Sequence, residues 1–135
     1  MNKQKTVLLI GGAGTLGNYV TKELLDFGCK VDVICLEDMQ SSNENLFYYK
    51  TKASLEVLEE FLADKHYDGI VNFIHYPDAD EYKGVHHFLC DNTDHLIFLS
   101  SYRVYADSKQ PITEESPRLL DTMDDEEFLA NETYA

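Results

Sequence analysis

Basic residues are scarce in this chain. Eleven lysines and arginines stand against 25 acids in 135 residues, for a net charge of −14. A field of that sign repels phosphate backbones and argues against a nucleic-acid partner. From Asp107 to the end, nine acids face only Lys109 and Arg118, so that segment carries half of the net charge. Such a run reads as a solvated loop and the negative first turn of a helix. Cysteine is equally thin. Cys29, Cys35 and Cys90 are widely spaced, odd in number and form no C-x-x-C pair. That excludes a disulfide framework and fits reduced thiols. Five histidines, among them His75 and the adjacent His86-His87, show no convergent ligand spacing, so no metal is expected. No apolar run approaches a membrane span, and no signal peptide is expected before the first apolar segment. A cytoplasmic protein without a membrane partner is expected. Internal repeats and low-complexity linkers are absent, and the length suits one domain with a real core.

Glycine, by contrast, is concentrated. The uncharged run Val7-Leu8-Leu9-Ile10 ends in Gly11-Gly12-Ala13-Gly14-Thr15-Leu16-Gly17. After it, Leu16, Tyr19, Val20, Leu24 and Phe27 recur at helical spacing and are expected near one helix face. A buried strand, a glycine turn and a helix N-terminus together make an anion site. N–H groups point out of the turn, and the helix dipole adds partial positive charge. Gly12, Gly14 and Gly17 satisfy G-x-G-x-x-G, and Gly11, Gly14 and Gly17 satisfy G-x-x-G-x-x-G. One glycine allows a tight turn, one admits a pyrophosphate, and one lets helix and strand pack closely. No Gly-Lys-Ser/Thr follows, which excludes a nucleotide-triphosphate P-loop.

The coarse order is strand 5–10, helix 15–27, strand 31–36, strand 46–50, helix 53–64, strand 69–75, helix 80–91 and strand 95–100. Phe27-Gly28 supplies a glycine stop for the first helix. Strands alternating with helices give an α/β fold with a parallel sheet covered on both faces. Right-handed crossovers favour a doubly wound sheet of five strands in order 3-2-1-4-5. A ligand then belongs at the carboxyl ends of the strands, where Gly11 to Gly17, Phe73 to Tyr76 and Ser100 to Tyr102 lie. Residues 107–123, with Pro111 and Pro117, read as a long functional loop.

A second signal is Leu96-Ile97-Phe98-Leu99-Ser100-Ser101-Tyr102-Arg103-Val104-Tyr105, followed by Pro111-Ile112-Thr113-Glu114-Glu115-Ser116-Pro117. With the glycine turn, it resembles the extended short-chain dehydrogenase/reductase family, the NAD-dependent epimerase/dehydratases. There the fifth strand ends in Ser-Ser-x-x-Val-Tyr, and the next loop often reads P-I-T-E-x-x-P. The resemblance covers essentially the whole chain. It implies a Rossmann-type NAD(P)-binding domain over residues 1–135, without the C-terminal part and substrate region.

The resemblance also implies roles. Gly11, Gly14, Thr15, Leu16 and Gly17 would hold the dinucleotide pyrophosphate, and Glu37 would face the adenosine ribose. Phe73, His75 and Ser100 would line the cofactor at other strand ends. Ser101 matches the family serine that holds a substrate hydroxyl or carbonyl. Tyr134 is the candidate for the tyrosine of Y-x-x-x-K, whose lysine would fall beyond Ala135. Tyr102 lies too close to the strand, and Ala106 stands where its lysine would be needed. A phenol ionises near ~10 and needs a neighbouring cation to act as a base at neutral pH. The chain alone is therefore expected to bind dinucleotide without turnover.

Three positions depart from the family pattern. Ile10 stands where many members have threonine. Cys35 occupies about the position of the ribose-binding acid, with Glu37 and Asp38 just after it. No acid occurs in Lys50-Thr51-Lys52 after the third strand. The acids after strand 2, with no arginine there, favour NAD over NADP. The leading reading is the cofactor-binding portion of an epimerase, dehydratase or reductase acting on a nucleotide sugar. The other readings are a non-catalytic dinucleotide-binding regulator of the atypical short-chain dehydrogenase type and an RNA-associated relative, the latter opposed by charge. The open edge beside the fifth strand makes a homodimer the protein partner to look for.

Overall fold

The computed structural model describes residues 3–101, 104–122 and 124–126. They contain β1 (Thr6–Ile10), α1 (Thr15–Asp26), β2 (Lys30–Cys35), β3 (Leu46–Lys50), α2 (Leu55–Phe61), β4 (Gly69–Asn72), α3 (Ala79–Asp91), β5 (Leu96–Phe98) and the short α4 (Leu119–Thr122). The chain divides into two compact units. The first is built from the residues up to Ile74 together with Gly84–Leu99. The second takes His75–Lys83 and the described residues from Ser100 onward.

The first unit holds one five-stranded sheet in order β3-β2-β1-β4-β5, with every neighbouring pair parallel. This is the doubly wound order expected from the alternation of strands and helices. Ile10 lies opposite Ile34 on one side and Asn72 on the other, so β1 is central. Strand alternation sends Val7, Leu9, Val31, Val33 and Cys35 to one face, where Val20, Leu24 and Leu25 of α1 pack on them. Leu8, Ile10, Asp32, Ile34, Ile70 and Asn72 are buried on the other face. There Leu58 of α2, Leu62 just after it, and Val85 and Leu89 of α3 are fully buried. Tyr49 meets Phe61 edge-on, with ring centroids 4.9 Å apart. Each large apolar side chain so buried contributes roughly 1.5–3 kcal/mol.

Several boundaries differ from the sequence reading for local reasons. Strand β4 stops at Asn72 because Oδ1 of Asn72 accepts the Ile74 N–H at 3.0 Å, turning the chain out of the ladder. Helix α2 is shorter than expected. The Ser54 hydroxyl caps its start by accepting the Val57 N–H at 3.4 Å, and Leu62 forms its C-cap. Within the expected loop 107–123, Leu119–Thr122 forms α4. Helix α1 ends as the glycine stop requires. Gly28 N–H bonds the Leu25 carbonyl at 2.9 Å and Cys29 N–H bonds Leu24 at 3.0 Å, a Schellman ending.

The buried face of α1 keeps only part of the expected apolar stripe: Val20 and Leu24 pack on the sheet, while Leu16, Tyr19 and Phe27 do not. Tyr19 is 68% exposed and Phe27 84%, whereas Gly17 and Thr21 are buried. The small Gly17 lets the helix approach the sheet along the Gly17–Thr21 line, and that rotates Tyr19 and Phe27 outward. Beside α1 the same sheet face stays open among the described residues. Val7, Val71 and Ile97, from three neighbouring strands, line a groove of about 410 Å³ together with Val20, Leu24 and Cys29.

Beneath the opposite face lies a polar pair. The Tyr67 hydroxyl donates to Oδ2 of Asp32 at 2.5 Å, and Oδ1 of Asp32 is buried with no partner among the described residues. Burial first, and the Asp32 hydrogen bond second, push the Tyr67 phenol far above its ordinary value. The next residue fastens the strand bottoms. Asp68 accepts the Thr6 N–H at 2.8 Å and pairs with Lys5 at 3.4 Å. That backbone hydrogen bond, more than the lysine, holds its carboxyl below the usual range.

Candidate dinucleotide site

The site is built where β1 runs out. Gly11 has φ +76, in the left-handed region that favours glycine, and its N–H donates to the Ile34 carbonyl at 2.8 Å. A Cβ on Gly11 would lie 3.0 Å from Ile74 Cγ1. The turn is thereby pinned to β2 on one side. On the other, Phe73 N–H donates to the Ile10 carbonyl at 2.9 Å. Gly14 is the N-cap of α1, and no side chain caps the helix. The first helical bond runs from Asn18 N–H to the Gly14 carbonyl at 2.9 Å. The first-turn N–H groups of Thr15, Leu16 and Gly17 have no intrahelical acceptor, so they form a cradle for an anion.

The glycines divide their roles clearly. A Cβ at Gly17 would collide with the Gly12 carbonyl and come within 2.6 Å of Gly12 Cα, so this contact is backbone against backbone. A Cβ at Gly12 would meet Leu9 Cβ at 2.8 Å. At Gly14 a Cβ would find nothing within 4 Å. Packing within the fold therefore does not require glycine at position 14. A pyrophosphate fits this arrangement of an open cradle, a helix N-terminus and no competing acid in the first turn of α1.

The rest of the first unit's carboxyl edge is set by β2 and β4. Cys35, the last residue of β2, is buried, and its thiol donates to the Glu37 carbonyl at 3.4 Å. Burial, and then the Glu37 charge, push that thiol above its ordinary value. Glu37 itself is exposed just beyond the strand. Phe73 is partly buried against the α1-side cluster. Asn72, whose amide side chain shapes the exit of β4, was not among the expected site residues. Its signal was a lone polar residue within Ile70-Val71-Asn72-Phe73-Ile74.

The profile of the NAD-dependent epimerase/dehydratase family matches residues 7–123. The chain belongs to that family. Membership in an NAD-dependent family supports a dinucleotide cofactor. Among curated proteins nothing matches. Among solved structures, an epimerase of Methanothermobacter thermautotrophicus is 20% identical with a TM-score of 0.65, over 87% of this chain and 42% of that one. A UDP-galactose 4-epimerase is 21% identical with a TM-score of 0.63, over 84% of this chain and 44% of its own. The Bordetella bronchiseptica enzyme WbmG, solved in complex with NAD, is 19% identical with a TM-score of 0.66, over 87% and 44%. These likenesses share the fold. The chain spans less than half the length of each of the three structures.

The remaining expected family residues fall elsewhere. Gly11 to Gly17, Glu37 and Phe73 gather in the first unit, while His75, Ser100 and Ser101 belong to the second. His75 and Ser100 are exposed; Ser101 is half-buried, and its carbonyl accepts the Val104 N–H at 3.2 Å. Tyr134 lies outside the described residues. Within the second unit the Pro-Ile-Thr-Glu-Glu-Ser-Pro loop closes on itself. Thr113 N–H donates to Ser116 Oγ at 2.8 Å, and Ser116 N–H donates to the Thr113 carbonyl at 3.1 Å. Tyr105 bridges to Arg118, and Arg118 forks onto Asp121 at 2.8 and 3.0 Å.

The family's Y-x-x-x-K spacing does occur twice, at Tyr48–Lys52 and Tyr105–Lys109. Neither lies on a helix: Tyr48 is in β3, and Tyr105 is bridged to Arg118, with no helix over residues 105–109. An extended segment separates i and i+4 by about 13 Å, whereas a helix stacks them one turn apart. Neither string therefore has the one-turn helical stacking of its tyrosine and lysine.

Proposed function

We propose that this chain is the NAD-binding part of an epimerase, dehydratase or reductase whose substrate is a nucleotide sugar. The observation that carries the reading is the contrast between Gly17 and Gly14. One glycine is required by the fold; the other stands over open space at an uncapped helix N-terminus. Family membership supports the dinucleotide, and the name of the UDP-galactose 4-epimerase supports the substrate class. When bound, the nicotinamide would accept and return hydride. The first-turn N–H groups of α1 bind the pyrophosphate, and Glu37 takes the adenosine ribose hydroxyls. Phe73, His75 and Ser100 line the cofactor. Ser101 holds the substrate oxygen, and Tyr134 exchanges a proton with it. No Tyr-x-x-x-Lys lies on a described helix, so residues 1–135 bind dinucleotide without turning over a sugar.

Calorimetric titration tests the reading. The wild-type chain should bind NAD, and more tightly than NADP, because Glu37 repels a 2′-phosphate. Gly14→Val should abolish binding while leaving the unfolding midpoint nearly unchanged. NAD affinity retained in Gly14→Val would remove the cradle from the site.

A further inference from the structure

The parallel register of β2 and β3 places a cation where the sequence showed only acids. Cys35 stands directly opposite Lys50. Thr51 N–H donates to the Cys35 carbonyl at 2.9 Å, which extends the ladder past both residues. Lys50 is therefore level with the ribose-reading end of β2, about 4.8 Å away across the sheet. It lies two residues after Tyr48, which packs on the Cys35 side of the sheet, so Lys50 shares that face. Its Nζ is 3.9 Å from Oδ2 of Asp38, and both side chains are mostly exposed.

At this strand end the residue in line for the ribose is a buried, neutral-side thiol, and it neither binds nor repels a phosphate. Discrimination passes to the next charges along. Glu37 is negative and exposed. Asp38 is negative but shares its field with Lys50, and a lysine is a flexible point charge that readily meets phosphate.

We infer that Lys50 is a specificity-determining residue for the 2′ position of the adenosine ribose. It offsets Asp38 and so limits how strongly the chain prefers NAD to NADP. The inference rests on the dinucleotide reading above. Because the groups are exposed, each charge counts for about fivefold in affinity, the value of one contact-distance charge pair in water.

The test is the ratio of NADP to NAD dissociation constants at low salt. Lys50→Met should raise that ratio about fivefold, and Asp38→Asn, which leaves Lys50 unpaired, should lower it by a similar factor. Both shifts should vanish near 1 M salt, where screening reaches about 3 Å. Lys22→Met, on α1 and paired with Asp26, serves as the control and should leave the ratio alone. An unchanged ratio in Lys50→Met, with NAD still bound, overturns the role of Lys50 alone. If the folded wild-type chain binds neither dinucleotide, the parent reading falls and takes this one with it.

Discussion

At the scale of single residues, the Asp32–Tyr67 pair is the most consequential interaction outside the site. Both groups are buried, and the carboxyl has one oxygen without a partner among the described residues. Tyr67→Phe removes the donor and leaves a buried carboxyl unserved, at a cost of about 3 kcal/mol in denaturant unfolding. The double variant Asp32→Leu, Tyr67→Phe should recover most of that loss, because an apolar pair needs no donors. The pair also gives an alkaline signature. The Tyr67 phenol is raised in the folded protein, whereas an unfolded tyrosine ionises near ~10. The unfolded chain therefore releases its proton first, and stability is complete below pH ~10 and falls as pH rises beyond it. One such group accounts for at most about 1.4 kcal/mol per pH unit. Denaturant midpoints measured from pH 9 to 11 should fall less steeply for Tyr67→Phe than for wild type. Tyr48 and Tyr49, whose phenols are also raised mainly by burial, keep some slope in both proteins.

At the scale of elements, the turn from β1 to α1 sets both packing and binding. Gly17→Ala should lower stability by about 3 kcal/mol and abolish NAD binding, because the new methyl group drives α1 away from the Gly12 backbone. Ser54→Ala tests a simpler device, the cap on α2, and should cost about 1 kcal/mol with NAD affinity intact. Much at this scale was legible in the sequence. The glycine spacing announced the strand, turn and helix, and the Asp68-Gly69 and Asn92-Thr93-Asp94 breaks announced β4 and β5. The orientation of α1 was legible only in part, at Val20 and Leu24. Tyr19 and Phe27 have the spacing of a core stripe, yet helix rotation is decided by how closely a glycine admits the backbone. The end of β4 was overestimated because apolar residues continue past the point where the Asn72 side chain captures the Ile74 amide, and β5 was likewise read too long, ending at Phe98.

At the scale of the whole molecule, binding and stability are linked. If NAD occupies the cradle, 100 times its dissociation constant should add about 2.7 kcal/mol and raise the melting midpoint by a few degrees. Differential scanning calorimetry with and without NAD would show it, and Gly14→Val should show no shift. The open groove beside α1 predicts tolerance: Ile97 is half exposed there, so Ile97→Lys should change stability by less than about 0.5 kcal/mol. What sequence reading could not supply at this scale is what depends on register between distant strands. Tyr67 lies 35 residues from Asp32, and Lys50 meets Cys35 only once β2 and β3 are aligned. The backbone contact at Gly17 has a last consequence, for heredity. Where a new side chain strikes another side chain, a second mutation can trim the neighbour and restore fitness. Here it strikes the carbonyl and Cα of Gly12, which every amino acid possesses. A genetic selection begun from Gly17→Ala should return only true revertants, with no compensating allele elsewhere in the gene.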